Sequence, residues 1–182
     1  MPIQNQMRAS AFLLAPWLAV QGLRVGGPCI YTLTPTVKTF SREHVVPVSA
    51  IRRADLPPSL IRVALADGHN IWPADRGVNS VRSNFTLVNH WGLSPNLDEW
   101  MVDTKAKVFA PPQASHGALA RACLYMADKY GVDSDTAIDY GALRLWRERP
   151  VTKYELEHHT AILSKQGTVN PFVIFELAKL KF

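Results

Sequence analysis

The residues best suited to hydrolytic chemistry are concentrated between positions 41 and 84 of the chain. Glu43 and His44 are adjacent within SREHVVP at 41–47, and Asn79 lies within VNSVRSN at 78–84. Hydrolysis of a phosphodiester requires a base for the attacking water, a cation for the developing charge, and groups that position both. An imidazole, a carboxylate and an amide oxygen held together can supply those parts.

A short strand and a short helix must position these side chains. Val45 and Val46 favour a strand that carries His44, and Pro47 ends the regular pairing of that strand. Polar residues at helix-compatible spacing predict a helix within 77–85. A hairpin followed by this helix would place the imidazole on a rigid strand, opposite an amide oxygen on the helix.

Three further elements are indicated by local patterns. Apolar residues recur at spacings of three and four over 117–130 and stop at Gly131, which predicts an amphipathic helix with a glycine end. Thr152 and Glu155 have the spacing of a capping box, in which each side chain satisfies a free amide at a helix start. The β-branched and aromatic residues of 29–33 predict a short strand.

Composition limits the class of protein. The 182 residues are 47% hydrophobic and 19% charged, which fits one ordinary globular core. Lys and Arg number 20 against 15 Asp and Glu, and this net charge of +5 favours polyanionic partners such as nucleic acid. The longest apolar stretch, 11–20, is interrupted by Pro16 and falls short of the roughly 18 residues that span a bilayer, so no membrane partner is expected.

The N-terminal segment differs in charge from the rest of the chain. The first 42 residues contain no Asp or Glu, and Arg8 precedes an apolar stretch that reaches Val20. Two interpretations stay open for residues 1–28: a first helix packed on the core, or a weak secretory or organelle targeting leader. The remaining residues, 29–182, are expected to form one domain.

Several segments become informative when they are considered in order. They are EHVVP at 43–47, HNIWPA at 69–74, NSVRSN at 79–84, FAPP at 109–112 with GALARA at 117–122, and a tail from Trp146 through QGTVNPF at 166–172. In this order they resemble the endonuclease I family of His-Me finger (ββα-metal) nucleases, over about residues 29 to 175. The resemblance implies a single α+β domain with a ββα-metal core wrapped by helices.

The resemblance also implies roles for particular residues. His44 would be the general base that takes a proton from water. Glu43 and Asn79 would hold one divalent ion, expected to be Mg²⁺ with Mn²⁺ or Ca²⁺ as alternatives, through hard oxygen ligands. Asn84 is a rival to Asn79 as a ligand. Asn70 would brace the loop that presents His44.

An arginine near the scissile phosphate is also implied by the family pattern. Arg82 and Arg121 both match family positions, and the sequence leaves the choice between them open. The expected activity is metal-dependent cleavage of DNA, with RNA as an alternative, to 5′-phosphate products. Contacts would be made through the phosphate backbone with little base specificity. The rival interpretation is a non-catalytic nucleic-acid-binding or packaging protein with the same fold.

Location, assembly and the remaining candidate ligands are less determined. Family members imply a secreted or periplasmic protein, whereas the N-terminal segment leaves organelle and virion locations open. The sequence makes no prediction of oligomeric state.

Cys29 and Cys123 would form either one disulfide or two buried thiols. His69 is expected to hydrogen-bond the hairpin backbone. The neighbouring rings of His158 and His159 should point about 100° apart on a helix, against a joint metal site.

Overall fold

A computed structural model describes residues 28–33, 40–92 and 96–179 of the chain. The strands of this part are β1 (Phe40–His44), β2 (Ile71–Asp75), β3 (Thr86–Leu87), β4 (Met101–Asp103) and β5 (Val108–Ala110). Its α-helices are α1 (Val48–Arg53), α2 (Pro58–Leu65), α3 (Arg76–Arg82), α4 (His116–Tyr130), α5 (Tyr140–Trp146), α6 (Lys153–Gln166) and α7 (Pro171–Ala178). The alternatives for the N-terminal segment concern residues 1–28, of which 1–27 lie outside the described residues.

Strands β1 and β2 form an antiparallel two-stranded sheet that leads directly into helix α3. His44 pairs with Ile71 at one end of this sheet, and Phe40 pairs with Asp75 at the other. Asp75 then caps α3, because its carboxylate accepts hydrogen bonds from the backbone N–H groups of Gly77 and the following residue, at 2.8 and 3.1 Å. The expected antiparallel strand pair and the helix that follows it are therefore observed, but the strands are joined by a long connection that contains helices α1 and α2 instead of a tight hairpin turn.

The strand that carries His44 ends at His44 itself, two residues earlier than the sequence predicts. Val45 and Val46 lie in a bend after β1, and their side chains are fully buried. The backbone N–H of Val46 donates to Asn70 Oδ1 at 2.8 Å, so a side chain takes the place of a strand partner. Val45 and Val46 therefore pack in the core from a bend, and their burial outweighs their preference for a strand.

The strand predicted over 29–33 is wrong. This segment is a turn, in which the backbone N–H groups of Thr32 and Leu33 both donate to the carbonyl of Cys29, at 3.3 and 2.8 Å. Ile30 N–H still donates to Pro73 O at 2.9 Å, which holds the turn against β2. Ile30 and Tyr31 are therefore buried from a turn, so their types reflect burial in the core and do not mark a strand.

A second sheet has the order β3-β5-β4, in which β3 is parallel and β4 antiparallel to the central β5. Phe109 of β5 is fully buried, and its ring meets the edge of Tyr31 at a centroid distance of 5.0 Å. This contact joins the second sheet to the turn beside β2. The mixture of helices with two small sheets is an α+β architecture, as expected.

Helix α4 is the central helix of the core, and its predicted extent is confirmed to within one residue. Eleven of its fifteen residues are buried, which explains why this helix contains few charged residues. It ends at Gly131, whose φ of +64° lies in the left-handed region that favours glycine. The glycine stop predicted from the sequence is therefore confirmed.

Helix α6 begins at the predicted Thr152, but only half of the capping box forms. The Thr152 hydroxyl accepts a hydrogen bond from the Glu155 backbone N–H at 3.1 Å. The Glu155 carboxylate binds the buried guanidinium of Arg121 instead of turning back to the helix start. A long-range ion pair has thus replaced the local hydrogen bond of the capping box.

The two cysteines are buried free thiols, which decides between the alternatives left open by the sequence. Cys29 Sγ accepts hydrogen bonds from the backbone N–H groups of Tyr31 and Asp75, at 3.3 and 3.1 Å. Burial raises the pKa of the Cys123 thiol to about 12, so it is protonated at neutral pH.

Within the described residues, no helix is both long enough and apolar enough to span a membrane.

Candidate functional site

An open cavity of about 500 Å³ lies where the end of β1 meets helices α1 and α3. Its lining includes four of the residues singled out by the sequence, Glu43, His44, Asn79 and Arg82. The alternative ligand Asn84 also lines it. Side chains separated by about forty positions in the chain are therefore brought to one cleft, which we call the β1–α3 cleft.

His44 is the last residue of β1 and is half-buried in the cleft wall. Its Nε2 lies 2.9 Å from the carbonyl oxygen of Leu65, at the end of α2. Because a carbonyl only accepts, Nε2 carries the hydrogen of the neutral ring and Nδ1 keeps a free lone pair. Helix α2 thus fixes the tautomer in which Nδ1 is able to accept a proton.

Burial and charge both act on the protonation of His44. Desolvation is the largest influence and lowers the pKa of the imidazole below 6.5. The Leu65 hydrogen bond opposes this change, while the positive charges of Arg42 and Arg82 reinforce it. The ring is consequently neutral at pH 7, which is the state that a general base requires.

Glu43 is buried beside His44 with two partners on one carboxylate oxygen. Tyr31 donates its phenolic hydrogen to Glu43 Oε1 at 2.5 Å, and Arg82 Nη1 lies 3.0 Å from the same atom. Burial raises the pKa of Glu43, against the effects of Arg82 and Tyr31, which lower it. Among the described residues, no hydrogen bond is made to the second oxygen, Oε2, which is thus available to another ligand.

Asn79 ties helix α3 to strand β1 through its amide nitrogen. Nδ2 donates to the hydroxyl of Ser41 at 3.0 Å and to the carbonyl of Arg42 at 3.3 Å. These two bonds fix the orientation of the amide. Its oxygen, Oδ1, accepts no hydrogen bond within the part of the chain that the structure describes.

The donor set of the cleft fits a hard divalent cation. Glu43 Oε2 and Asn79 Oδ1 are both oxygen donors without another partner among the described residues, and both side chains line the cleft. No group of three or more His, Cys, Asp or Glu side chains suited to a metal occurs in the described residues. Carboxylate and amide oxygens are ligands that hard divalent cations take together with water molecules.

Asn70 lies behind the cleft, fully buried, and does not line it. Its side chain bonds the Val46 backbone twice, accepting from N–H at 2.8 Å and donating to C=O at 3.1 Å. Its own carbonyl accepts from the Val45 N–H at 3.1 Å. Asn70 therefore helps to hold the bend that follows His44.

Arg82 is buried beneath the end of β1. Besides Glu43, its guanidinium donates to the carbonyls of His44 and Val45, at 3.3 and 2.6 Å. Only 1% of the residue is exposed. Arg82 thus fixes the backbone and the carboxylate that border the cleft.

Arg121 lies elsewhere, in a buried ion pair between helices α4 and α6. Its Nε and Nη2 bind the two oxygens of Glu155, at 2.7 and 2.5 Å, and Nη1 donates to the carbonyl of Arg149 at 2.7 Å. It does not line the β1–α3 cleft. This placement does not support the expected contact between Arg121 and a scissile phosphate, because the guanidinium is already bound within the core.

His69 and His158 make contacts with backbone carbonyls and an aromatic ring, which are the contacts of core residues. His69 Nε2 meets the carbonyl of Thr168 at 3.1 Å, so the expected bond to the hairpin backbone is replaced by one to the loop after α6. His158 stacks on Trp72 at a ring distance of 3.7 Å, and its Nε2 meets Gly68 O at 3.1 Å. These rings support the core.

Three residues near the cleft were missed by reasoning from the sequence. Tyr31 reaches Glu43 from the turn near the start of the described chain, and no local pattern marks that contact. Arg42 and Arg52 also line the cleft with exposed side chains. Arg42 could have been found as the neighbour of Glu43, whereas the position of Arg52 depends on how α1 folds against the cleft.

Comparison with known proteins identifies the family. The model of the family described as Endonuclease I matches residues 24–175. An extracellular deoxyribonuclease of Aeromonas hydrophila is 35% identical over 59% of this chain and 48% of its own length. A periplasmic deoxyribonuclease of Aeromonas hydrophila is 34% identical, over 59% and 46%, and Endonuclease-1 of Buchnera aphidicola is 32% identical, over 59% and 44%. The chain therefore spans about half the length of the curated relatives it matches, and it belongs to the endonuclease I family.

Proposed function

We propose that this member of the endonuclease I family is a metal-dependent endonuclease that hydrolyses phosphodiester bonds of DNA, largely without sequence specificity. The observation that carries the proposal is the β1–α3 cleft, where a neutral imidazole lies beside two oxygen donors. The names of the relatives, which are deoxyribonucleases and endonucleases, favour DNA as the substrate. RNA remains the alternative substrate.

His44 is the general base of the proposed reaction. Its Nδ1 accepts a proton from the attacking water, while the Nε2 hydrogen stays bonded to the carbonyl of Leu65. This second contact fixes the orientation of the ring while Nδ1 becomes protonated and the imidazole becomes an imidazolium ion. The water oxygen then attacks phosphorus, the bond to the 3′-oxygen breaks, and that oxygen takes up a proton from solvent, which leaves a 5′-phosphate and a 3′-hydroxyl.

Glu43 and Asn79 are the proposed metal ligands, through Oε2 and Oδ1. They would hold a divalent ion, Mg²⁺ in the first instance, whose positive charge would stabilise the negative charge that develops during hydrolysis. Arg82 and Tyr31 hold Glu43 through its other oxygen, and Ser41 orients the Asn79 amide. Asn70 keeps the following bend in place.

We propose that β1, β2 and α3 form the ββα unit of a His-Me finger. Two antiparallel strands are followed at once by a helix, with His44 at the end of the first strand and Asn79 on the helix. The long connection between the strands carries α2, whose carbonyl orients His44. The connection is thus part of the site, because it fixes the base.

Export is the proposed location, since two relatives are named as extracellular or periplasmic enzymes. A nuclease without sequence specificity endangers the genome of the cell that makes it, so separation from that genome is consistent with the proposed activity. Targeting to an organelle or a virion would achieve the same separation.

The proposed function is tested by cleavage of supercoiled plasmid. Wild type and His44→Ala are each incubated with Mg²⁺ and with EDTA, and the product ends are labelled to locate the phosphate. Cleavage by wild type only in the presence of metal, with 5′-phosphate ends, is the expected result. Binding of DNA without cleavage under all conditions would instead favour a packaging protein, and a parallel assay on RNA measures the preference.

A further inference from the structure

The positively charged residues of the β1–α3 cleft fall into two groups. Arg82 is buried, paired with Glu43, and already donates to three backbone carbonyls. Arg42 and Arg52 line the same cleft with exposed side chains. A ligand that enters from solvent therefore meets Arg42 and Arg52, while Arg82 stays engaged below.

The two exposed arginines have no acidic partners in the described part of the chain. No Asp or Glu of the described residues lies within ion-pair distance of either guanidinium, whereas Arg82, Arg121 and Arg147 all have such a partner. Within the cleft lining, Glu43 is the one carboxylate among the described residues, and Arg82 compensates it. The positive charges of Arg42 and Arg52 are therefore available to an anionic ligand.

The two arginines approach the cleft from different elements. Arg42 directly precedes Glu43 on β1, and its charge acts on the ring of His44. Arg52 lies in the last turn of α1, the helix that begins directly after Pro47. Guanidinium groups bind phosphate oxygens through paired hydrogen bonds, so two of them on one cleft suit neighbouring phosphates of a single strand.

We propose that Arg42 and Arg52 are the phosphate-binding residues of the cleft, with Arg42 on the scissile phosphate beside His44 and Arg52 on an adjacent phosphate. This inference rests on the proposed function and replaces Arg82 and Arg121 as the residues that contact the substrate. Arg42 then strengthens its contact as charge develops on the reacting phosphate, whereas Arg52 holds substrate and transition state equally.

The proposal is tested by binding of a fluorescent DNA duplex, followed by anisotropy over a range of salt concentrations. The measurements use the His44→Ala protein in EDTA, so that binding is separated from cleavage. Arg42→Gln and Arg52→Gln are compared with Arg53→Gln, since Arg53 is also exposed, adjoins Arg52 on α1, and does not line the cleft. Each lost phosphate contact should lower the slope of log affinity against log salt by about 0.9.

Steady-state kinetics of the otherwise wild-type variants separate the two roles. Arg52→Gln should raise KM with little change in kcat, and Arg42→Gln should lower kcat as well. Arg53→Gln should leave the salt slope and both constants unchanged.

The outcomes distinguish this inference from the function on which it rests. Salt slopes unchanged in Arg42→Gln and Arg52→Gln, in a protein that cleaves DNA, would overturn the inference alone. An equal loss of slope in Arg53→Gln would also overturn it, because it would show a general charge effect. Failure of the wild-type protein to cleave nucleic acid would overturn the proposed function and the inference together.

Discussion

Arg82 Nη1 lies 3.0 Å from Glu43 Oε1, and both side chains are almost completely buried. Tyr31 adds a hydrogen bond to the same carboxylate oxygen. The pair thereby leaves Glu43 Oε2 for the cleft while it compensates the buried charge. One ion pair thus links the stability of the hairpin to the proposed metal site.

Removing Glu43 should therefore affect both stability and metal binding. Glu43→Ala leaves Arg82 buried without its carboxylate and should lower the free energy of unfolding by about 3–5 kcal/mol. Urea denaturation measures the loss, and calorimetric titration with Mg²⁺ measures binding by the folded protein. An undiminished unfolding free energy would contradict the buried pair as the structure shows it.

Asn79→Ala should weaken metal binding with a smaller loss of stability. The side chain is half-buried and makes two hydrogen bonds, each contributing about 0.5–1.5 kcal/mol. Asn79→Asp is the matched control, because it keeps an oxygen ligand. If Asn79→Ala binds Mg²⁺ as wild type does, and Asn84→Ala does not, Asn84 is the ligand instead.

His44→Ala should lower kcat for DNA cleavage by at least about two orders of magnitude, the usual contribution of a positioned base. The ring is half-buried at the edge of the cleft, so the fold should persist. Circular dichroism and the thermal midpoint provide the control. Retention of most of the activity by a folded His44→Ala protein would assign the base to another group.

Arg121→Ala should destabilise the protein without changing the chemistry of the cleft. Loss of the guanidinium leaves Glu155 buried and unpaired, which should lower the free energy of unfolding by about 3–5 kcal/mol. Activity is then measured well below the unfolding transition, per mole of folded protein. A large fall in kcat under those conditions would restore Arg121 as a substrate contact.

Acid should destabilise the fold through its buried histidines. Burial lowers the pKa of His69 and His116 to about 4 and that of His158 to about 3. In the unfolded chain these rings titrate near 6.5. Above that pH both states are neutral, and below it only the unfolded chain takes up protons, so stability falls as pH decreases from about 6.5 towards 4.

Urea denaturation between pH 4 and 8 checks the acid prediction. Each protected imidazole contributes a slope of up to about 1.4 kcal/mol per pH unit in that interval. His158→Gln should be less stable at pH 7, because it loses its stacking on Trp72, but should show a shallower dependence on pH. A wild-type unfolding free energy that is flat over this range would contradict the buried neutral histidines.

The sequence by itself determined several local elements and the resemblance to the family. Periodicity and glycine chemistry were sufficient for α4 and its end at Gly131, and the Thr152 hydroxyl marked the start of α6. Such features depend on residues within one or two turns of each other, so they can be read without the fold. The resemblance likewise used ordered motifs, which bring Glu43, His44 and Asn79 into one candidate site.

Only the tertiary structure decided which charged groups face solvent in that site. Arg82 and Arg42 are both near His44, yet one is buried on Glu43 and the other is exposed to the cleft. Arg121, which matches the family pattern equally well, is bound to Glu155 between two helices. A motif gives residue type and spacing, whereas burial and ion pairing depend on contacts between distant segments, and those contacts determine whether an arginine meets a substrate or stabilises the core.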